Sequence, residues 1–599
     1  MKYDRIYSIR KGEYFADALQ RAGKEFIPTN CIINKLLPGL GATHCELTSA
    51  RKSIIIEPNV PVIESKAKRH KNALAIYRGV TVRHIMDFVE KHATENYKLL
   101  TTPEGFPKIK EAMQQLEIDM YRECFVLFDE CEKLVQDVNY RDSIREPMND
   151  FFLFHGKALI SATPIIPETD SRFESFMRVL IEPDYAYRQK LKLITTNNVL
   201  ETLREVVESK RGSVCIFCNS IDSIDSFFRL IPELENACTF CSEEGQYKLW
   251  KGNRRKKSMV ITPLERYNFF TSRFYSAVDI VCDNPPHVIL VSDLYGATQS
   301  VIDPATEAIQ IIGRFRNGVS SVTHIASIRP DLECLSPDEI DRWLEGAGKV
   351  YKGWKQQLLT SANVGERTLL QEAIGENSYL PYLDEKGNPD PFLIANFYEK
   401  EQVKRLYTSA SLLCNAYGQT EYFQFSHEER TMPVSDNERL AIQHRLAKKK
   451  RAELILRKLE EMDGMSKSTD KKTQKRYQRM LEHLITSAAD KYIYDCYQRF
   501  GAEFVREAEY NETKLRQSLN VSSETAIKQS GQMKERIRQK FVPGVEYSVT
   551  EAKSMMKQVY KKMGLSVVRG ITMKELERYA EVETGWKHDG RSIKILSFR

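Results

Sequence analysis

Over residues 1–330, short apolar runs alternate with helical patterns, and this alternation predicts a parallel α/β architecture. The runs are Phe26–Ile33, Ser53–Glu57, Tyr97–Leu100, Cys124–Phe128 and Ala158–Ile160, then Val214–Phe217, Ala237–Phe240, Met259–Thr262, His287–Val291 and Val322–Ala326. Five followed by five predicts two similar lobes, 1–185 and 186–330, joined near Asp184–Lys192. Beyond 330 the pattern is mostly helical, with an extension over 331–434 and a basic helical region over 435–530. Ser435-Asp-Asn-Glu438 is a capping box that opens a helix with Ile455, Leu459 and Met462 on its apolar stripe and Gly464 as its stop. Residues 531–599 predict helices at Met533–Lys540, Thr550–Met563 and Thr572–Tyr579 and a final strand Ser592–Phe598, with capping boxes at Ser548/Glu551 and Thr572/Glu575.

Composition bounds the class. At 599 residues the chain exceeds the size of one hydrophobic core, and 42% hydrophobic with 29% charged residues describes a globular protein. No apolar run approaches the roughly 18 residues of a membrane span. The start, MKYDRIYSIRKGEYF, lacks an apolar secretory core, so a cytoplasmic location without membrane contact is expected.

Charge narrows the partner. The net charge of +7 equals that of residues 531–599 alone, which hold 15 basic and 8 acidic residues. Within the remainder, residues 441–480 hold 13 basic and 5 acidic residues, including Lys448–Arg451, Lys471, Lys472 and a Tyr477 set among Lys475, Arg476 and Arg479. Such single-signed fields suit a nucleic-acid or anionic-membrane partner, the membrane reading lacking a bulky aromatic face, and the other alternative is a solvated helix face. Lys553, Lys557, Lys561 and Lys562 recur at helical spacing and carry the first and last of these readings.

Cys215-Ile-Phe-Cys218 and Cys238-Thr-Phe-Cys241 match the spacing of a four-cysteine zinc site. Both lie in β-branched and aromatic runs, however. On a strand, positions i and i+3 face opposite sides, so the four read as core cysteines.

The chemistry lies at the ends of the apolar runs. Pro38-Gly-Leu-Gly-Ala-Thr43 follows the first run; Gly39 and Gly41 let backbone N–H groups curl around phosphates, and Thr43 offers a hydroxyl to Mg²⁺. Cys124-Phe-Val-Leu-Phe-Asp-Glu-Cys-Glu132 ends in carboxylates, with Asp129 suited to Mg²⁺ and Glu130 to orienting or deprotonating water. Gln310-Ile-Ile-Gly-Arg-Phe-Arg316 reads as a helix carrying Arg314 and Arg316. Each has a plain structural alternative: a solvated strand end for the acids, surface cations for the arginines.

In order, these segments resemble the motifs of superfamily 2 helicases of the DEAD/DEAH-like group. Gly39–Thr43 looks like motif I, Ile54–Pro58 like Ia, Thr101–Pro103 like Ib, Asp129–Glu132 like II, Ser161–Thr163 like III, Ile216–Ser220 like IV, Thr271–Asp279 like V and Gln310–Arg316 like VI. The resemblance covers about residues 25–325, and the tight Gly-Arg-x-Arg spacing is nearest to herpesvirus origin-binding helicases and related replication proteins of viruses and mobile elements. It implies two RecA-like lobes that clamp ATP and Mg²⁺. Gly39, Gly41, Thr43 and Asp129 would hold the nucleotide, Glu130, Gln310, Arg314 and Arg316 would serve catalysis, and Thr102 and Pro103 would touch nucleic acid. The final 69 residues resemble a winged helix, a nucleic-acid module in which Lys553 and Lys557 would face phosphates. Expected partners are single- or double-stranded DNA, with RNA as the alternative, and other replication proteins.

One departure puts catalysis in question. The resemblance calls for a phosphate-binding lysine at position 42, where Ala42 stands. Losing one such donor costs about 10²–10³ in turnover. Three explanations stay open: a pseudo-ATPase, replacement by another cation such as Lys35, or an engineered substitution. The functional expectation is accordingly a helicase or translocase, with a catalytically impaired nucleic-acid-binding scaffold as the alternative.

Overall fold

Strand-forming runs in the first 183 residues are buried on both sides, which requires cover from helices on both faces of one sheet. The computed structural model describes residues 3–250, 257–275, 279–444, 446–565, 571–587 and 590–599. Its first sheet comprises β1 (Arg5–Ile9), β2 (Cys31–Asn34), β3 (Ser53–Ile56), β4 (Ala73–Ile76), β5 (Lys98–Thr101), β6 (Phe125–Asp129), β7 (Gly156–Ser161) and β8 (Met177–Pro183). All pair in parallel, in the order β1-β8-β2-β7-β6-β3-β5-β4. Alternate residues feed two cores. Ile32, Ile54, Ile56, Leu99, Val126 and Phe128 pack on one face, and Ile33, Ile55, Leu100, Leu127 and Ile160 on the other.

The second sheet repeats this design with β9 (Gln189–Thr196), β10 (Val214–Phe217), β11 (Cys238–Phe240), β12 (Lys257–Ser258), β13 (Tyr267–Phe270), β14 (His287–Ser292), β15 (Ser321–Ser327) and β16 (Phe423–Arg430). Its order is β12-β11-β13-β10-β14-β15-β9-β16, again parallel throughout. Two eight-stranded parallel sheets thus form the two RecA-like lobes expected. The run Met259–Thr262 is not a strand: Met259 and Val260 are exposed, and the strand lies at Tyr267–Phe270, whose side chains are all buried. Cys215 packs in one core of this sheet and Cys218 in the opposite one.

Residues 331–432 are helical until β16 returns to the second sheet. Helix Pro391–Leu406 ties the lobes together. Phe392 and Leu393 enter the first lobe's core, whereas Val403 and the following Tyr407 enter the second lobe's. Asn396 Nδ2 donates to the Val135 carbonyl at 2.6 Å, and Gln136 Nε2 reaches Thr306 Oγ1 at 3.0 Å and Glu399 Oε1 at 3.2 Å.

The chain divides into two units, Met1–Met432 and Pro433–Arg599. In the second, the Ser435/Glu438 capping box forms, but the helix it opens ends at His444, and Ile455 and Leu459 lie on a separate helix, Lys448–Glu461. Gly464 sits within the short helix Asp463–Ser466, beyond Met462. Tyr477 and Arg479 are buried, so they are not part of an exposed basic face, and Arg451 is paired with Asp490. Near the end, helices Gly531–Lys540 and Val549–Lys562 pack against β17 (Glu546–Ser548), β18 (Ala580–Lys587) and β19 (Gly590–Phe598), antiparallel in the order β17-β19-β18. Ser548 caps its helix, whereas Thr572 gives no side-chain cap to a helix of only Met573–Leu576. Lys553, Lys557, Lys561 and Lys562 are all exposed. Among the described residues, no helix is long and apolar enough to cross a membrane.

Candidate nucleotide site between the lobes

Because the strands run parallel, the residues that follow them collect along one sheet edge, where open α/β sheets place their ligands. Lys35 follows β2, Glu57 follows β3, Glu130 follows β6 after its last residue Asp129, and Thr163 lies two residues past Ser161, the end of β7. Between β2 and helix Ala42–Thr48 the chain turns through positive φ at Leu36 (50°), Gly39 (84°) and Gly41 (77°).

The second lobe presses on this loop. A Cβ on Gly39 would lie 2.0 Å from Arg316 Nη1, and one on Gly313 would lie 2.3 Å from Pro38 Cβ and Cγ. Gly313 is needed for this approach because a proline ring cannot yield, whereas the Arg316 side chain can shift and Gly39 is required instead by its positive φ. The helix expected over Gln310–Arg316 is observed as Glu307–Gly313, and Arg314 and Arg316 occupy the turn after it. That turn aims them at the first lobe.

Thr43 donates its hydroxyl hydrogen to Asp129 Oδ2 and accepts from Lys66 Nζ at 2.9 Å. Lys66, on helix Val60–Ala67, also donates to Glu57 Oε1 at 2.7 Å. Lys35 points inward as well, its Nζ 3.3 Å from Asp129 Oδ1. Across the seam, Gln310 Nε2 lies 3.2 Å from Glu130 Oε2, 3.1 Å from Glu132 Oε1 and 3.1 Å from Thr163 Oγ1. Arg314 donates to Gln310 Oε1 at 2.8 Å and its Nη2 sits 3.6 Å from Glu130 Oε1. Arg316 pairs with Asp279 at 2.7 Å, and residues 276–278 of the segment Thr271–Asp279 lie outside the described residues.

Burial and charge oppose each other here. Burial alone would raise Asp129 and Glu130, but Lys35 holds both below the ordinary carboxylate range, helped by Lys66 and Thr43 at Asp129 and by Arg314 at Glu130. Glu132, buried and next to Glu130, is pushed up, and its Oε2 finds no hydrogen-bond partner among the described residues. Burial also raises Glu57 despite Lys66. Glu130 itself has φ of 52°, a left-handed conformation that costs a non-glycine residue about 1–3 kcal/mol and that clusters at functional sites.

These groups line a cavity of about 340 Å³ walled by Gly39, Gly41–Thr43, Glu57, Asp129 and Glu130 from one lobe and Asp279, Arg314 and Arg316 from the other. Lys35, Lys66, Arg69, Arg314 and Arg316 supply the positive charge that a polyphosphate requires. The Thr43 hydroxyl and the ionised Asp129 are hard oxygen donors of the kind Mg²⁺ takes. The donor set therefore fits ATP and Mg²⁺.

Seven expected site residues, Gly39, Gly41, Thr43, Asp129, Glu130, Arg314 and Arg316, line this cavity, and Gln310 braces its wall. Thr102 and Pro103 do not line it: both are buried at the end of β5, where Arg141 joins Glu104 to the Pro58 carbonyl. Lys553 and Lys557 belong to the second unit. Glu57 falls within the segment Ile54–Pro58, but nothing in the sequence pairs it with Lys66, which carries no signature of its own. A neighbouring cleft of about 720 Å³ also opens between the lobes, lined by Asn59, Arg141, Asn219, Ser220, Thr271 and Arg273 among others.

No family model and no curated protein matches the chain. Among solved structures, yeast (S. cerevisiae) Dbp5 bound to RNA and ADP BeF3 is similar at TM-score 0.32 and 13% identity, over 50% of this chain and 79% of that one. A DEAD box protein from Methanococcus jannaschii is similar at TM-score 0.29 and 13% identity, over 53% and 92%. The Pyrococcus furiosus Hef helicase domain is similar at TM-score 0.33 and 10% identity, over 53% and 95%. Likenesses at this level carry no assignment of function.

Proposed function

We propose that the chain is a nucleic-acid-dependent ATPase, a helicase or translocase whose two lobes close on Mg·ATP. The observation that carries this reading is the seam itself. Buried Arg314 from one lobe approaches Glu130 of the other at 3.6 Å, and Gln310 bridges to Glu130 and Thr163, above a loop held open by Gly39 and Gly41. Phosphoryl transfer needs positioning and positive charge more than covalent help. Arg314 and Arg316 would meet the developing phosphate charge, Glu130 would orient or deprotonate the attacking water, and Thr43 and Asp129 would hold Mg²⁺, which shields the phosphate oxygens when bound.

Nucleic acid would cross the neighbouring cleft, where Asn219, Ser220, Thr271 and Arg273 offer donors to phosphates. The order of helices and strands over 531–599 supports a winged helix, with Lys553 and Lys557 on an exposed helix face suited to a DNA backbone. A role in replication or repair would follow from DNA dependence, and RNA dependence would place the protein with RNA helicases. Ala42 favours the second reading, a nucleotide-regulated scaffold with impaired hydrolysis.

Steady-state ATP hydrolysis with single-stranded DNA, with RNA and with neither tests this. Stimulation by nucleic acid and a drop of about 10²-fold or more in Glu130→Gln are expected. Unchanged turnover in Glu130→Gln would sink the catalytic assignment.

A further inference from the structure

We infer that Lys66, carried on helix Val60–Ala67 and not on the phosphate loop, supplies the cation that the loop lacks at Ala42. This rests on the nucleotide-binding reading above. Ala42 is buried and brings no charge, so any ammonium at the loop must come from another element. Among the described residues five cations line the cavity, and four of them are committed elsewhere or stand away from the loop's own bonds.

Lys35 is enclosed, with 7% of its side chain exposed, and its charge is the counter-ion of Asp129 with Glu130 and Glu132 close by. Withdrawing it would leave buried carboxylates uncompensated, which is costly. Arg314 is fixed by Gln310 and Glu130, and Arg316 is held by Asp279. Arg69 lines the cavity but is exposed to solvent.

Lys66 lines the same cavity and differs in two respects. It bonds directly to Thr43, the residue after Ala42. An ammonium has three hydrogens, and Thr43 and Glu57 take two, which leaves one directed donor for a ligand. Glu57 makes the placement rigid: it follows β3, its N–H is bonded to the Thr101 carbonyl, and its buried carboxylate holds Lys66 towards the loop. The charge normally delivered along the loop is thus delivered sideways, from a helix that packs beside it.

The test is isothermal calorimetry of the full chain with Mg·ATP, Mg·ADP and AMP, for the wild type, Lys66→Met, Lys66→Gln, Ala42→Lys/Lys66→Met and Lys66→Met/Glu57→Gln, with melting curves for each. Removing a charged donor weakens ATP binding by roughly ten- to a hundredfold, with AMP affinity changed by less than about threefold. Lys66→Gln, which keeps polar contacts to Thr43 and Glu57 without the charge, should show the same loss at a melting temperature near wild type. Ala42→Lys should restore ATP affinity in the Lys66→Met background.

Equal ATP affinity in wild type and both Lys66 variants would overturn the inference while leaving the nucleotide site intact. Full recovery in Lys66→Met/Glu57→Gln would also overturn it, because Lys66 would then serve only to neutralise Glu57. A wild-type chain that binds none of the three nucleotides would instead remove the functional reading on which it stands.

Discussion

Replacing Gly313 by alanine adds one methyl group at the seam between the lobes. Its carbon would stand 2.3 Å from Pro38 Cβ and Cγ, where ordinary contact begins at 3.4 Å and nothing real lies under 3.0 Å, so the two must part by roughly 0.7–1.1 Å. A proline ring cannot rotate out of the way. Overpacking of this kind costs about 1–3 kcal/mol. The displacement also reaches the chemistry, because Arg314 is the next residue and Gln310 lies one turn back. Gln310 Nε2 stands 3.1 Å from Thr163 and 3.2 Å from Glu130. A further ångström breaks both bonds, and misplacement on that scale lowers turnover by about 10²-fold.

Thermal melting and ATP turnover, measured on the same preparation, would show both effects. Gly346→Ala is the control: it lies on helix Pro337–Thr360 with nothing within 4 Å of an added Cβ, and should stabilise by about 0.5–1 kcal/mol through helix propensity. If Gly313→Ala melts and turns over like the wild type, the lobes are not in the contact described.

Three further outcomes are expected. Burial, with Glu399 nearby, raises Glu307 to about 8, so its carboxyl costs no stability below the ordinary value of 4.5, and the cost grows with pH until it is complete above 8; Glu307→Gln should exceed the wild type by about 1–2 kcal/mol at pH 9 and match it at pH 4, by denaturant melts. Phe392→Ala should cost about 3–5 kcal/mol and, because that ring anchors the helix joining both lobes, should lower turnover as well as melting temperature. Changing Lys553, Lys557 and Lys561 together to alanine should flatten the dependence of log K for DNA on log salt by roughly 0.9 for each phosphate no longer neutralised, measured by fluorescence anisotropy.

The central strands were legible because both faces are buried and their sequences are therefore continuously apolar: Ser53–Ile56, Phe125–Asp129 and His287–Ser292 announce themselves. Of the strands outside those runs, Ala73–Ile76 is apolar but only four residues long, and others carry polar side chains. Gln189–Thr196 alternates Lys with Leu, and Phe423–Arg430 ends in His-Glu-Glu-Arg because its outer edge meets solvent. Motif order located the cavity's floor and arginines, since chemistry there is fixed by residues at strand ends. It included Glu57 in the segment Ile54–Pro58 but did not locate Lys66. Their meeting depends on how a helix lies against a neighbouring strand, which no local spacing encodes. Lys35 was visible as a candidate, but its inward direction is set by the carboxylates of Asp129, Glu130 and Glu132, which are about a hundred residues away.

Strand β16 has a consequence for synthesis. It is hydrogen-bonded along the whole of β9, yet more than 220 residues separate the two, and β15, on the other side of β9, is complete nearly 100 residues earlier. While the chain emerges in order, the second sheet can assemble with β9 as a bare edge, open to pairing with any other strand. The alternating lysines of that strand, Lys190 and Lys192, then act as guards during this interval. Completion waits for Arg430, so the slow closing of a long-range parallel pair becomes the final step in maturing the second lobe.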